Sequence, residues 1–150
     1  MRRADRALTQ QEARDILQSA EFGVLSITSL NANPYGVPLN YCTIGDSIYF
    51  HSALEGRKVE MLSANEKVSF CVVGKTEVLP EKFGMKYESV IVSGKAHKVD
   101  GKEKQQALEG LLKKYSSPFY SQGLEYIEKS INRLIVFKIT IESITAKAKR

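Results

Sequence analysis

Tryptophan is absent from the 150 residues, and cysteine, histidine, methionine and proline are scarce, at two, two, three and four. Cys42 and Cys71 form no C-x-x-C pair, and with His51 and His97 they make no metal-ligand spacing. Reduced, packed thiols are expected, and no metal. With so few histidines, acid–base chemistry by side chains alone would rest on His51, because His97 in GKAHKVD reads as a surface residue near a strand end. The commonest catalytic signatures are missing: G-x-G-x-x-G, G-x-x-x-x-G-K-[ST], H-E-x-x-H and G-x-S-x-G. Chemistry in such a chain points to a bound cofactor. No stretch approaches about 18 uninterrupted apolar residues, and the first fifteen residues lack the apolar core of a signal peptide. A soluble, cytoplasmic protein is expected, with no membrane contact. Surplus charge on the folded body is also missing. The net +5 comes entirely from the two chain ends, so residues 9–145 are neutral. Nucleic-acid binding, which needs grouped cations on the body of the fold, is not expected.

What is present fits one domain spanning residues 1–150. Thr9 and Glu12 have capping-box spacing ahead of a short helix bearing Ala13, Ile16, Leu17 and Ala20. From Phe22 the pattern turns to strands, FGVLSITS, YGVPLNYCTI and IYFHS, separated by NANP and GDS; these read as an antiparallel meander. Pro38 cannot donate to a ladder, so its strand lies at an edge or bulges, leaving backbone free for a ligand. A helix at about 56–64 precedes the strand KVSFCVV, and the polar stretch Gly74 to Gly84 reads as a long connection. KYESVIVSGKAHKV is the longest β pattern, with a bend at Gly94. Lys102 to Tyr115 is helical, residues 116–130 are irregular or weakly helical, and NRLIVFKITIESITAK closes the chain as a strand. The expected class is mainly β (α+β): a six-stranded antiparallel barrel with peripheral helices.

The densest chemistry lies in IYFHSALEGRK, residues 48–58. An apolar strand passes a histidine and a serine and meets a helix start at Gly56-Arg57-Lys58. The outward-pointing N–H groups of that start, with two cations beside them, form an anion pocket suited to phosphate. The plain alternative is an ordinary strand-to-helix connection with two solvated cations.

Together MRRADR, YGVPLNY, IYFHSALEGRK and MKYESVIVSGKAHKV resemble the flavin-binding split-barrel proteins related to pyridoxamine 5′-phosphate oxidase, and within them the branch associated with nitroimidazole resistance. The resemblance covers nearly the whole chain. It implies a split β-barrel, a homodimer with FMN sites at the subunit interface, and an oxidoreductase acting on a small molecule. FAD and haem are the alternative cofactors, and a flavin- or haem-binding storage or sensor protein the alternative function. By the same resemblance, Pro38, Leu39 and Asn40 would offer main-chain groups to the isoalloxazine ring, and His51 and Ser52 would border the ring and ribityl-phosphate. Arg57 and Lys58 would bind the phosphate, Tyr87 and Ser89 would contribute from facing strands, and His51 is the candidate catalytic residue. Tyr115, Phe119 and Tyr120 fall where a partner subunit could set an aromatic over the ring, or where aromatics simply pack together. One departure is plain: IESITAKAKR lacks the arginine- and histidine-rich substrate motif of the true oxidases, so pyridoxamine phosphate oxidation is not implied.

Overall fold

A computed structural model describes residues 1–150. Helix α1 (Gln10–Ser19) starts at the expected capping box, Thr9 accepting from the Glu12 N–H and Glu12 accepting from the Thr9 N–H. Seven strands follow: β1 (Gly23–Thr28), β2 (Pro34–Leu39), β3 (Cys42–Ile44), β4 (Ser47–Ala53), β5 (Lys67–Leu79), β6 (Gly84–Val99) and β7 (Leu134–Lys149). Helix α2 (Arg57–Ala64) lies between β4 and β5; α3 (Gly101–Tyr115) and α4 (Tyr120–Ser130) lie between β6 and β7. No helix is long and apolar enough to cross a membrane.

The strands form one antiparallel sheet ordered β2-β1-β5-β6-β7-β4-β3. The strand count is therefore seven, not six, because YGVPLNYCTI breaks at Asn40-Tyr41 into β2 and β3. Nor is the first half a meander: β1–β2 and β3–β4 are hairpins at opposite edges of the sheet. Only Asn40 and Tyr41 join those edges, and three peptide steps reach at most about 10 Å. The sheet must roll until its two edges nearly meet, giving a barrel split at that seam. Pro38 is on an edge strand, as its missing N–H requires.

Inside the barrel, alternate residues of five strands meet: Leu25 and Ile27, Ile48 and Phe50, Phe70 and Val72, Val90 and Val92, Phe137 and Ile139. Ala13, Ile16 and Leu17 of α1 join this cluster, and Tyr41 sits fully buried at the seam. A second cluster packs Ala107, Leu108 and Leu111 of α3 and Ile127 of α4 against Cys42, Tyr49 and Val136. Two further expectations are corrected. Residues 116–130 hold a 3-10 turn and the regular helix α4. The stretch 74–84 is no long connection: β5 runs on to Leu79, turns at residues 80–83 and returns as β6. That hairpin arm is exposed along most of β5's end, so it lacks the apolar alternation that marks a half-buried strand. Gly94 does mark an irregularity, since the β6–β7 register shifts between Ser93 and Gly94. A methyl group there would lie 2.2 Å from the Thr140 carbonyl oxygen.

Candidate functional site

Strand β4 ends at Ala53, and the chain turns through Gly56 at φ 133°, a conformation that favours glycine. Helix α2 then begins without a side-chain cap. Its first backbone bond runs from the Glu60 N–H to the Gly56 carbonyl, so the amides of Arg57, Lys58 and Val59 have no partner within the helix. Val59, Met61 and Leu62 bury the opposite side of α2 in the barrel core. The Asn65 side chain ties the helix end to the barrel, donating to the Thr28 carbonyl at 3.0 Å and accepting from the Lys67 N–H at 3.1 Å.

Both cations at this start rest on aromatic faces. The Arg57 guanidinium carbon lies 4.5 Å from the centroid of the Tyr35 ring on β2. The Lys58 Nζ lies 5.8 Å from the Phe50 centroid on β4. Neither cation enters an ion pair with a carboxylate. Burial pushes the Lys58 ammonium below its ordinary value, and burial followed by the Lys58 charge pushes His51 down, favouring its neutral imidazole. A local excess of positive charge with unused donors suits an anion, and a phosphate dianion matches the set of guanidinium, ammonium and free amides.

The residues expected to surround a ligand divide into three groups. His51, Arg57 and Lys58 come together at the start of α2. Ser52 neighbours them but faces the other way: it is buried on the Ile48–Phe50 side of β4, whereas His51 is exposed on the opposite side. Pro38 and Leu39 end the edge strand that carries Tyr35 and Asn40 follows directly, with Leu39 half-buried against the core. Tyr87 and Ser89 lie elsewhere. His51 pairs with Val136 on β7, while Ser89 and Tyr87 pair with Lys147 and Lys149. Val136 and Lys149 are thirteen residues apart on that strand, about 40 Å of strand contour. Within one chain the two groups do not share a pocket.

Tyr87 accepts a hydrogen bond from Arg6 at 3.3 Å, which lowers its pKa, and Lys147 Nζ stands 5.7 Å over its ring. Tyr115 has a task within its own chain. Its hydroxyl donates to the Glu21 carbonyl at 2.6 Å and lies 3.1 and 3.0 Å from the Tyr41 N–H and carbonyl, bracing the seam between β2 and β3. Phe119 is 63% exposed, and the ring pairs of the molecule are Tyr41–Phe70 and Phe50–Phe137, so Tyr115, Phe119 and Tyr120 form no packed aromatic cluster. Cys42 is buried, with its thiol pushed up to about 11, and Cys71 is half-buried; both are free. Sequence reasoning missed Tyr35: nothing in NANPYGV signals that its ring will lie beneath a cation twenty-two positions on.

Comparisons with known proteins agree with this architecture. A family model described as pyridoxamine 5′-phosphate oxidase matches residues 9–148. A proposed 5-nitroimidazole antibiotic resistance protein from Bacteroides thetaiotaomicron superposes with a TM-score of 0.81 at 27% identity, over 95% of this chain and 86% of that one. A conserved hypothetical protein from Mycobacterium tuberculosis gives 0.83 at 18% identity, over 97% and 88%. A FAD-binding protein from Mesorhizobium loti gives 0.68 at 24% identity, over 97% and 98%. These last two share the fold. No curated protein matches the sequence significantly.

Proposed function

The chain belongs to the pyridoxamine 5′-phosphate oxidase family, and on that premise we propose that it is an FMN-binding oxidoreductase passing electrons from a reduced donor to a small acceptor, a nitroaromatic or a quinone. The observation that carries this reading is the unpaired Arg57–Lys58 couple at the uncapped start of α2. Arg57, Lys58 and the adjoining amides would hold the flavin phosphate. The free outer edge of β2 at Pro38 to Asn40 would face the ring's polar edge, and neutral His51 would sit beside the ring to contact substrate or pass a proton. Bound flavin supplies the redox chemistry. The likeness at 27% identity to the nitroimidazole resistance protein favours a nitroaromatic among acceptors.

In this reading two copies of the chain assemble. The outer face of the sheet supports that: Pro38, Val24, Cys71, Ile91 and Thr145 lie in one cross-strand row, and Gly36, Ser26, Ser69, Ser93 and Ser143 in the next. Short side chains let another sheet approach closely, and Val24, Val73 and Ile91 are exposed apolar groups on it. Ser89, next to Ile91, would then meet the β2 edge of the second copy, a meeting that one chain alone does not provide. Two free thiols fit a reducing compartment such as the cytoplasm.

The test is the visible spectrum of freshly purified protein, followed by release and mass identification of the ligand. FMN is the expected ligand, bleached by a nicotinamide cofactor without oxygen and restored by a nitroaromatic. Flavin that no donor bleaches would leave a binding protein. A Soret band would favour the second reading, a haem protein, for which the neutral, exposed His51 imidazole is an available axial ligand. Colourless protein that fails to bind added FMN would overturn the oxidoreductase reading, and failure to bind added haemin as well would overturn the second.

A further inference from the structure

We propose that Tyr35 is a positioning residue for phosphate recognition, holding the Arg57 guanidinium flat so that its N–H edge, and not its face, meets the anion; this rests on the flavin-phosphate reading above. The contact joins two elements far apart in sequence, with the Arg57 carbon 4.5 Å from the ring centroid. Tyr35 is half-buried and packs against the barrel core on the same side of β2 as Val37 and Leu39, so its ring is a fixed platform. Arg57 is exposed on its other sides and has no carboxylate partner. An arginine in that state loses rotamer freedom when it binds. Stacking on a fixed ring removes part of that loss beforehand, and a flat guanidinium can present two parallel donors to two phosphate oxygens. Tyr35 also lies on the strand that carries Pro38 and Leu39 and leads into Asn40, so one rigid edge would set both the phosphate cation and the main-chain groups beside the ring.

The discriminating measurement compares FMN with riboflavin, which lacks the phosphate, by titrating flavin-free protein and following flavin fluorescence. Tyr35→Leu keeps apolar bulk against the core and removes the aromatic face; Tyr35→Phe keeps the face. In Tyr35→Leu the FMN affinity is expected to fall about twofold to fivefold, the range of a lost exposed cation–π contact, with riboflavin affinity unchanged. Tyr35→Phe should match the parent protein. An unchanged FMN-to-riboflavin ratio in Tyr35→Leu, together with a collapsed ratio in Arg57→Ala, would overturn the role of Tyr35 and leave the phosphate site standing. An unchanged ratio in Arg57→Ala would overturn the site itself and this role with it. Equal losses for FMN and riboflavin in Tyr35→Leu would show a packing defect and also overturn the proposal.

Discussion

Two regions of the molecule set cations against tyrosines, and they differ in how their charges are satisfied. At the end of β7, Arg150 reaches Glu12 at 2.9 Å and Glu88 at 3.2 Å, Arg3 pairs with Asp5, and Lys86 with Glu77. Two of the carboxylates are held low: Glu12 at about 2, first by the Thr9 N–H and then by Arg150, and Asp5 at about 2, first by its hydrogen bond from Arg3. At the start of α2, Arg57 and Lys58 have aromatic faces and no carboxylate. The two regions are built from the same residue types, yet the first pairs its arginines with carboxylates beside Lys147 over Tyr87, and the second offers Arg57 and Lys58 no carboxylate at all. Arg3, Lys86 and Arg150 are paired with carboxylates near the termini and the arm; Arg57 and Lys58 are not. Composition does not distinguish the two, because the difference is where the carboxylates are.

The largest expected effect removes the free pair. Arg57→Ala with Lys58→Ala should weaken FMN binding by about 3–6 kcal/mol, at 1.5–3 for each charge-assisted bond. Calorimetry would read it, and unchanged affinity would place the phosphate elsewhere. Next is Gly56→Ala. A side chain at φ 133° carries strain of about 1–3 kcal/mol. Thermal melts should show the lower stability, and relaxation of the turn should also loosen FMN as the α2 amides rotate.

A smaller effect concerns pH. His51 in the folded protein titrates below its ordinary value, so the unfolded chain takes up the proton first as pH falls. Stability from neutral His51 is thus intact above about 6.5 and declines as pH drops from there through the folded value. His51→Gln should flatten this part of the denaturation profile as pH falls below about 6.5. A bound phosphate, opposing Lys58, should flatten it too. Smallest is Arg150→Ala, which removes an exposed pair of ion contacts. Its melting temperature should hardly move and FMN affinity should stay at the parent level. A large loss of FMN affinity in Arg150→Ala would erase the contrast between the two regions.

Particular residues show how much could be read in advance. The Thr9–Glu12 cap, the edge position of Pro38 and the irregularity at Gly94 are local matters of donor geometry and backbone shape, and each was legible. So was the strand-to-helix junction at residues 48–58, because hydrophobic period and adjacent cations lie within one short segment. The 74–84 arm was not legible, since strands exposed on both faces carry no apolar alternation. YGVPLNYCTI looked continuous because one side of its break, at Asn40-Tyr41, is a buried aromatic and not a turn former.

The sequence by itself determined where α1 is capped, where α2 begins and which cations stand there, because those follow from side-chain period, caps and backbone limits within a few residues. Only the tertiary structure decided that β2 and β3 would take opposite edges of the sheet. It alone set Tyr35 under Arg57, turned Ser52 inward from His51, and parted Tyr87 from both by the length of β7. These depend on how a twisted sheet closes around its core, which fixes distances between residues that no local pattern relates.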